Sequence, residues 1–255
     1  MKVRTLLAGA MAVLALAACN KNKNEGAPTA ANDTVKITQA NPPPGGTWAD
    51  VVNETSAGGF VMGNPNAKVK LLEYGSLTCP HCREFDEKGV DSLVNTYVKS
   101  GQVSWEFRNY VRDGFDLSAA LVARCNGAKS FFPLTRALYK DQVNWVEKIQ
   151  AAPQQQIDAL QSGNLPPGQL YPQMAKLAGF PEWAAMRGVS EAKSQQCLSN
   201  ESSINQLVQM NSDTTSQYPE FQGTPGFVIN GTMAKDTATW DKLEPQLRAA
   251  LGERG

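Results

Sequence analysis

The tetrapeptide Cys79-Pro80-His81-Cys82 constrains this chain more than any other stretch. It follows an apolar run, Val69-Lys70-Leu71-Leu72-Glu73-Tyr74, and precedes a segment in which Phe85, Leu93, Val94, Tyr97 and Val98 recur at helical spacing. The pattern predicts a strand that ends shortly before the first thiol and a helix that begins at it. The first N–H groups of a helix lack partners, and the aligned peptide dipoles put partial positive charge there, so a thiolate at that point is stabilised. Cys79 is the expected nucleophile. One helical turn separates it from Cys82, near enough for the two sulfurs to join, and thiols in such motifs fall from about 8.5 to roughly 3.5–7.5. His81, between them, can add positive charge. A lowered thiol pKa stabilises the reduced form alone: a value ~3 units below ambient pH is worth about 4 kcal/mol, or ~90 mV of oxidising power.

The neighbouring segments supply a frame for that motif. Gly58 to Met62 reads as a short strand, separated from Val69 to Tyr74 by the turn-rich Gly63-Asn64-Pro65-Asn66. After the active-site helix, Val103, Trp105 and Phe107 alternate with polar residues in a further strand that runs to Asn109. Strand, helix, strand requires two parallel strands with a right-handed crossover. From Asp116 to about Asn200 the composition shifts to alanine, leucine and glutamine, with Leu117 to Cys125 suited to a buried helix. Pro153, Pro166-Pro167 and Pro181 divide this region into several helices. A helix around Ser202 to Ser216 leads back to the strand Phe227 to Ile229, and Asn230-Gly231 is a two-residue hairpin signal. Trp240, Leu243, Leu247, Ala250 and Leu251 predict a closing amphipathic helix.

At these residues the sequence resembles the thioredoxin superfamily, and Cys-Pro-His-Cys is similar to the motif of periplasmic disulfide oxidoreductases of the DsbA type. The resemblance covers about residues 58–251 and implies an α/β thioredoxin fold with an inserted helical domain at about 116–200. It also implies roles. Glu73, six residues before Cys79, corresponds to a buried carboxylate that handles protons for the second cysteine. Gly223-Thr224-Pro225 looks like the family's cis-proline loop, which faces the disulfide, where the Thr224 backbone would meet an extended substrate. Related proteins carry a second disulfide, matching Cys125 and Cys197.

The amino terminus has another character. Lys2 and Arg4 precede an apolar stretch from Leu6 to Ala18, a secretory signal too short for a comfortable membrane span. The residues Leu16-Ala17-Ala18-Cys19 resemble the bacterial lipobox, which makes residues 1–18 a lipoprotein signal and Cys19 the lipid attachment site; the alternative is a plain signal peptide. Asn20 to Gly46, with Pro42-Pro43-Pro44-Gly45-Gly46, contains nothing that could build a core. The stretch 19–57 is assigned to a lipid-anchored flexible linker, and a coil of 27 residues reaches about 30 Å. Loss of Lys2 and Arg4 with the signal leaves 22 of the 24 basic groups against 24 acidic ones, so no nucleic-acid surface is expected.

Other chemistries compete for the same residues. Cys-x-x-Cys also opens zinc sites, but a closed zinc site needs four ligands, and His81 is the single histidine of the chain. A copper chaperone would show Cys-x-x-x-Cys and a distant histidine. No metal or cofactor is expected beyond the redox-active pair, although a thioredoxin-like metal-binding lipoprotein is the alternative of another class. Glu73 could be a strand carboxylate facing water, and Pro225 could merely begin a strand. With Cys79 assigned to Cys82 by adjacency, Cys125 pairs with Cys197 or both stay reduced. The expectation is a monomeric thiol-disulfide oxidoreductase, a disulfide donor to exported proteins with cysteines, regenerated by a membrane redox partner in the periplasm. A reductase or isomerase is the alternative. The familiar isomerases add a dimerisation region, for which residues 20–58 are too short and too polar.

Overall fold

The computed structural model describes residues 38–252. The predicted signal, Cys19 and the linker up to residue 37 lie outside the described residues.

Six strands form one mixed sheet: β1 (Val52–Glu54), β2 (Phe60–Gly63), β3 (Val69–Gly75), β4 (Val103–Asn109), β5 (Gly226–Ile229) and β6 (Thr232–Met233), in the spatial order β1-β2-β4-β3-β5-β6. β3 and β4 are parallel, with Leu71 opposite Trp105 and Glu73 opposite Phe107, as the strand-helix-strand pattern requires. The remaining neighbours are antiparallel. Asn230 and Gly231 both adopt positive φ (49° and 85°), the geometry of a two-residue hairpin between β5 and β6. The Asn230 side chain accepts a hydrogen bond from the Lys70 N–H (2.8 Å), which pins that hairpin to β3.

Strand alternation sends Leu71 and Glu73 to the main core, together with Trp105, Phe107 and Phe227, while Tyr74 and Val228 join a smaller aromatic cluster with Tyr218. The chain from β3 to β4 contains helix α1 (Pro80–Phe85), which continues through wider turns at Asp86–Val90 and Leu93–Val98. Pro80 suits the first helical position, where no N–H is needed. A Cβ at Gly89 would lie 2.9 Å from that of Trp240, so only glycine lets the closing helix approach this closely.

The region after β4 is helical: α2 (Gly114–Arg124), α3 (Ala128–Lys140), α4 (Gln142–Gln150), α5 (Gln154–Gln161), α6 (Pro167–Ala178), α7 (Phe180–Ala185) and α8 (Glu191–Leu198). Helix α9 (Glu201–Gln217) returns to the sheet and α10 (Trp240–Leu251) closes the fold. Helix α2 begins where the Asp113 carboxylate accepts from the N–H groups of Phe115 and Asp116 (2.8 and 2.9 Å). Every residue from Phe115 to Ala123 is buried, which makes α2 the centre of the insertion. Phe131 of α3 stacks on Phe60 (4.1 Å) and Phe132 meets Trp105 at a tilt (4.7 Å), so the insertion packs directly on the sheet.

One boundary differs from the sequence reading. The linker assigned to 19–57 ends sooner, because the Ala40 N–H binds the Ser100 carbonyl (2.8 Å), Trp48–Asp50 form a tight helical turn, and β1 pairs with β2. β1 is three residues long with half-buried or exposed side chains, so its backbone holds it to the sheet and no apolar periodicity announces it. Among the described residues no helix is long and apolar enough to cross a membrane.

Candidate active site

β3 ends at Gly75 and α1 begins at Pro80, so the four residues between them carry Cys79 from the sheet to the helix start. Cys79 occupies the capping position, and the pair is unbridged. Cys82, one turn on, is fully buried, whereas Cys79 keeps 3% of its surface exposed. The sequence predicts freer solvent access for Cys79 than this. The loop before β5, in which the Thr224-Pro225 bond is cis, covers it and brings the Thr224 carbonyl oxygen within 3.2 Å of the Cys79 sulfur.

The two sulfurs have opposite acidities. The Cys82 thiol, donating to Cys79, holds Cys79 down at about 5 against the burial that raises it, and the Thr224 side chain and the N–H groups of Cys82 and His81 add to the effect. Burial pushes Cys82 well above the ordinary thiol range, and the hydrogen bond it gives to Cys79 and the charges of Cys79 and Glu73 raise it further. One sulfur is therefore a thiolate at neutral pH while its neighbour keeps its proton.

His81 contributes otherwise than its sequence position suggests. Its ring is 69% exposed and lies 3.8 Å from the Glu84 carboxylate, so any charge it carries is shared with Glu84 and water. What reaches Cys79 is the His81 backbone N–H. The helical direction causes this, since residue three of the motif points out from the helix while residues one and four point in.

Glu73 is 1% exposed and faces the core, which alternation alone left undecided. Burial raises its carboxyl well above the ordinary range, Asp86 adds repulsion, and the Trp105 indole N–H, 3.1 Å from Oε2, opposes the shift. Its surroundings favour the protonated carboxyl, and its charge, when present, acts on Cys82. Asp86, one turn beyond Cys82, is also pushed up, to about 6, by burial, although Arg136 of α3 pairs with it at 3.3 Å.

Three side chains of the insertion reach the Cys79 loop and carry no sequence motif: Asp116, Tyr139 and Gln142. Asp116 accepts from the Ser76 hydroxyl (2.6 Å) and the Leu77 N–H (2.8 Å), Tyr139 donates to the Ser76 carbonyl (3.2 Å), and Gln142 donates to the carbonyls of Leu77 (2.7 Å) and Cys79 (3.0 Å). Polar residues inside a run of apolar helix were the only sign of them.

Beside the cis-proline loop lies a cleft of about 710 Å³ lined in part by Phe221, Gly223, Thr224, Pro225 and Lys235. Cys125 and Cys197 are joined, with their Cα atoms 5.6 Å apart, remote in sequence from the first pair. Among the described residues no group of three His, Cys, Asp or Glu side chains could hold a metal ion. Cys19 lies outside the described residues.

Comparison with known proteins agrees with this geometry. The family described as Thioredoxin matches residues 55–249. The crystal structure of a protein-disulfide isomerase from Novosphingobium aromaticivorans is 31% identical, with a TM-score of 0.72 over 80% of this chain and 100% of that one. The alpha-DsbA1 protein of Wolbachia pipientis, 18% identical, shares the fold with a TM-score of 0.59 over 76% of this chain and 90% of its own. A protein of Rickettsia conorii, named a candidate protein-disulfide oxidoreductase, is 26% identical over 202 residues. The alignment takes in 76% of this chain and 64% of that relative, so the chain spans a little under two thirds of its length.

Proposed function

Because the chain belongs to the thioredoxin family, with an insertion of DsbA type, we propose that it is a thiol-disulfide oxidoreductase whose Cys79–Cys82 disulfide oxidises cysteines of exported proteins. The observation that carries this reading is the split acidity of the pair: a Cys79 thiolate held at about 5 stabilises the reduced enzyme and so favours giving the disulfide away.

The reaction runs in two exchanges. A substrate thiolate attacks the Cys79 sulfur of the oxidised pair, forming a mixed disulfide and expelling Cys82 as a thiolate. Cys82, buried and with a raised pKa, takes a proton, which the buried Glu73 carboxyl, its own pKa raised by burial, supplies. The second substrate thiolate then attacks the substrate's own sulfur in the mixed disulfide, Cys79 leaves as a stabilised thiolate, and the substrate departs with a new disulfide. Two electrons have passed to the enzyme, and a membrane redox partner removes them. The substrate lies extended in the cleft beside Thr224 and Pro225, and the disulfide is the enzyme's whole redox equipment, with no metal or other cofactor. Cys19 bears the lipid that keeps a monomeric enzyme at a periplasmic membrane surface.

Isomerisation is the second reading, and the name of the Novosphingobium relative favours it. The equilibrium of the 79/82 couple with glutathione separates the readings. A potential near −120 mV supports the donor, whereas one as low as about −270 mV would remove it in favour of a reductase. A stable dimer in light scattering at micromolar concentration would move isomerisation ahead.

A further inference from the structure

The turn that carries the nucleophile, Ser76 to Cys79, is bonded to helices that lie outside the strand-helix-strand unit. Gln142, the first residue of α4, is the one whose side chain binds the backbone of Cys79 itself. Its Nε2 donates to the Leu77 carbonyl at 2.7 Å and to the carbonyl of Cys79 itself at 3.0 Å. We propose, resting on the disulfide-exchange reading above, that Gln142 is a positioning residue of the reaction: by holding these two carbonyls it fixes the Cys79 sulfur at the helix start and keeps it a thiolate.

Gln142 is 3% exposed and gives its amide hydrogens to these carbonyls; the Cys79 oxygen also accepts from the Arg83 N–H (3.2 Å), so it is the Leu77 oxygen that, deprived of Gln142, has no water to turn to. A bare carbonyl oxygen carries partial negative charge, and inside a protein of low effective dielectric it repels a neighbouring thiolate more than it does a thiol. Lastly, Gln142 is itself rigidly placed. Its neighbour Asp141 accepts from the Trp183 indole (2.8 Å) and the Arg187 guanidinium (2.7 Å) of the α7 region, and the Trp145 indole donates to the Leu138 carbonyl (3.0 Å). A fixed amide dipole aimed at the backbone of a nucleophile is more than a packing contact.

The test uses the full chain with Gln142→Met, which keeps the bulk of the side chain and removes both donors. The equilibrium of the 79/82 pair with glutathione should shift about tenfold toward the disulfide, ~30 mV more reducing, with the Cys79 thiol titrating about one unit higher by its absorbance at 240 nm. Tyr139→Phe, which removes one donor from the Ser76 carbonyl and leaves it the Cys79 N–H, should move the same equilibrium less than about threefold. A lowered Tm with potential and titration unchanged would make Gln142 a structural residue and sink the proposal. If Gln142→Met does not fold, Gln142→Glu replaces it. Ionisation of that carboxyl against two carbonyls should give a potential that depends more steeply on pH than in the wild type, and an identical slope would overturn the proposal. A wild-type pair that never equilibrates with glutathione would instead overturn the exchange reading on which this one stands.

Discussion

The molecule contains two cysteine pairs whose surroundings could hardly differ more. Cys79 and Cys82 lie three residues apart at the junction of a strand and a helix, ringed by a cis-proline loop, a buried acid and the polar side chains of the insertion. Cys125 and Cys197 are 72 residues apart, half-buried between the end of α2 and α8 and joined to each other. The chemistry of sulfur is the same in both. Reactivity therefore comes from the unequal treatment of two sulfurs by their surroundings, whereas a bond between two equivalent, remote positions serves as a staple.

The strongest way to break the contrast is to remove its sulfurs one at a time. Cys79→Ser should abolish exchange, while Cys82→Ser, which keeps the nucleophile but removes the thiol that can attack Cys79 and release a mixed disulfide from the enzyme side, should accumulate thiol-cleavable adducts with exported proteins. Isolation under alkylating conditions followed by reducing and non-reducing gels reads the difference; equal trapping by both variants would contradict the assigned roles. Next comes the other pair. Cys125→Ala with Cys197→Ala should cost about 4 kcal/mol in denaturant unfolding, by the entropy of a loop of this length. It should leave the glutathione equilibrium of the first pair within about twofold, as expected for independent sites.

Glu73 sharpens the comparison, because only the reactive pair has such a neighbour. Its carboxyl is raised in the folded protein, so the folded state binds the extra proton and loses stability as pH climbs above the unfolded value of 4.5. Glu73→Gln removes that penalty. Stability at pH 7 should rise above that of the wild type in denaturant unfolding. Exchange should slow by roughly 10²-fold, the usual worth of a proton-transfer group. The smallest effect is a titration. Cys79 falls to about 5 from 9.0, so its stabilisation of the reduced protein is complete above pH 9 and disappears as pH drops through 5. Melting curves of the reduced and oxidised forms across that window should converge at its acid end, and curves that keep a constant separation would count against the thiolate.

Much of this was legible in the chain. The Cys79-Pro80-His81-Cys82 motif between an apolar run and a helical repeat led to the parallel β3 and β4 pair, because a single helix between two strands leaves no other compact arrangement. Asn230-Gly231 specified its hairpin, since two successive positive φ values suit few residue pairs. The prolines marked the starts of α5, α6 and α7 by the same local logic. These features depend on neighbours within a few residues, and sequence carries them directly.

Tertiary structure decided what depends on the opposite side of the core. Which face Glu73 takes, where the His81 ring points, how little of Cys79 stays open, and the short edge strand β1 all follow from packing and backbone pairing between distant segments. The hold of Asp116, Tyr139 and Gln142 on the Cys79 loop spans 40 to 65 residues of separation and has no periodic signature. A hydrogen bond across such a distance is specified by the fold that brings its ends together, so the motif identifies the nucleophile, and only the folded insertion shows what holds it in place.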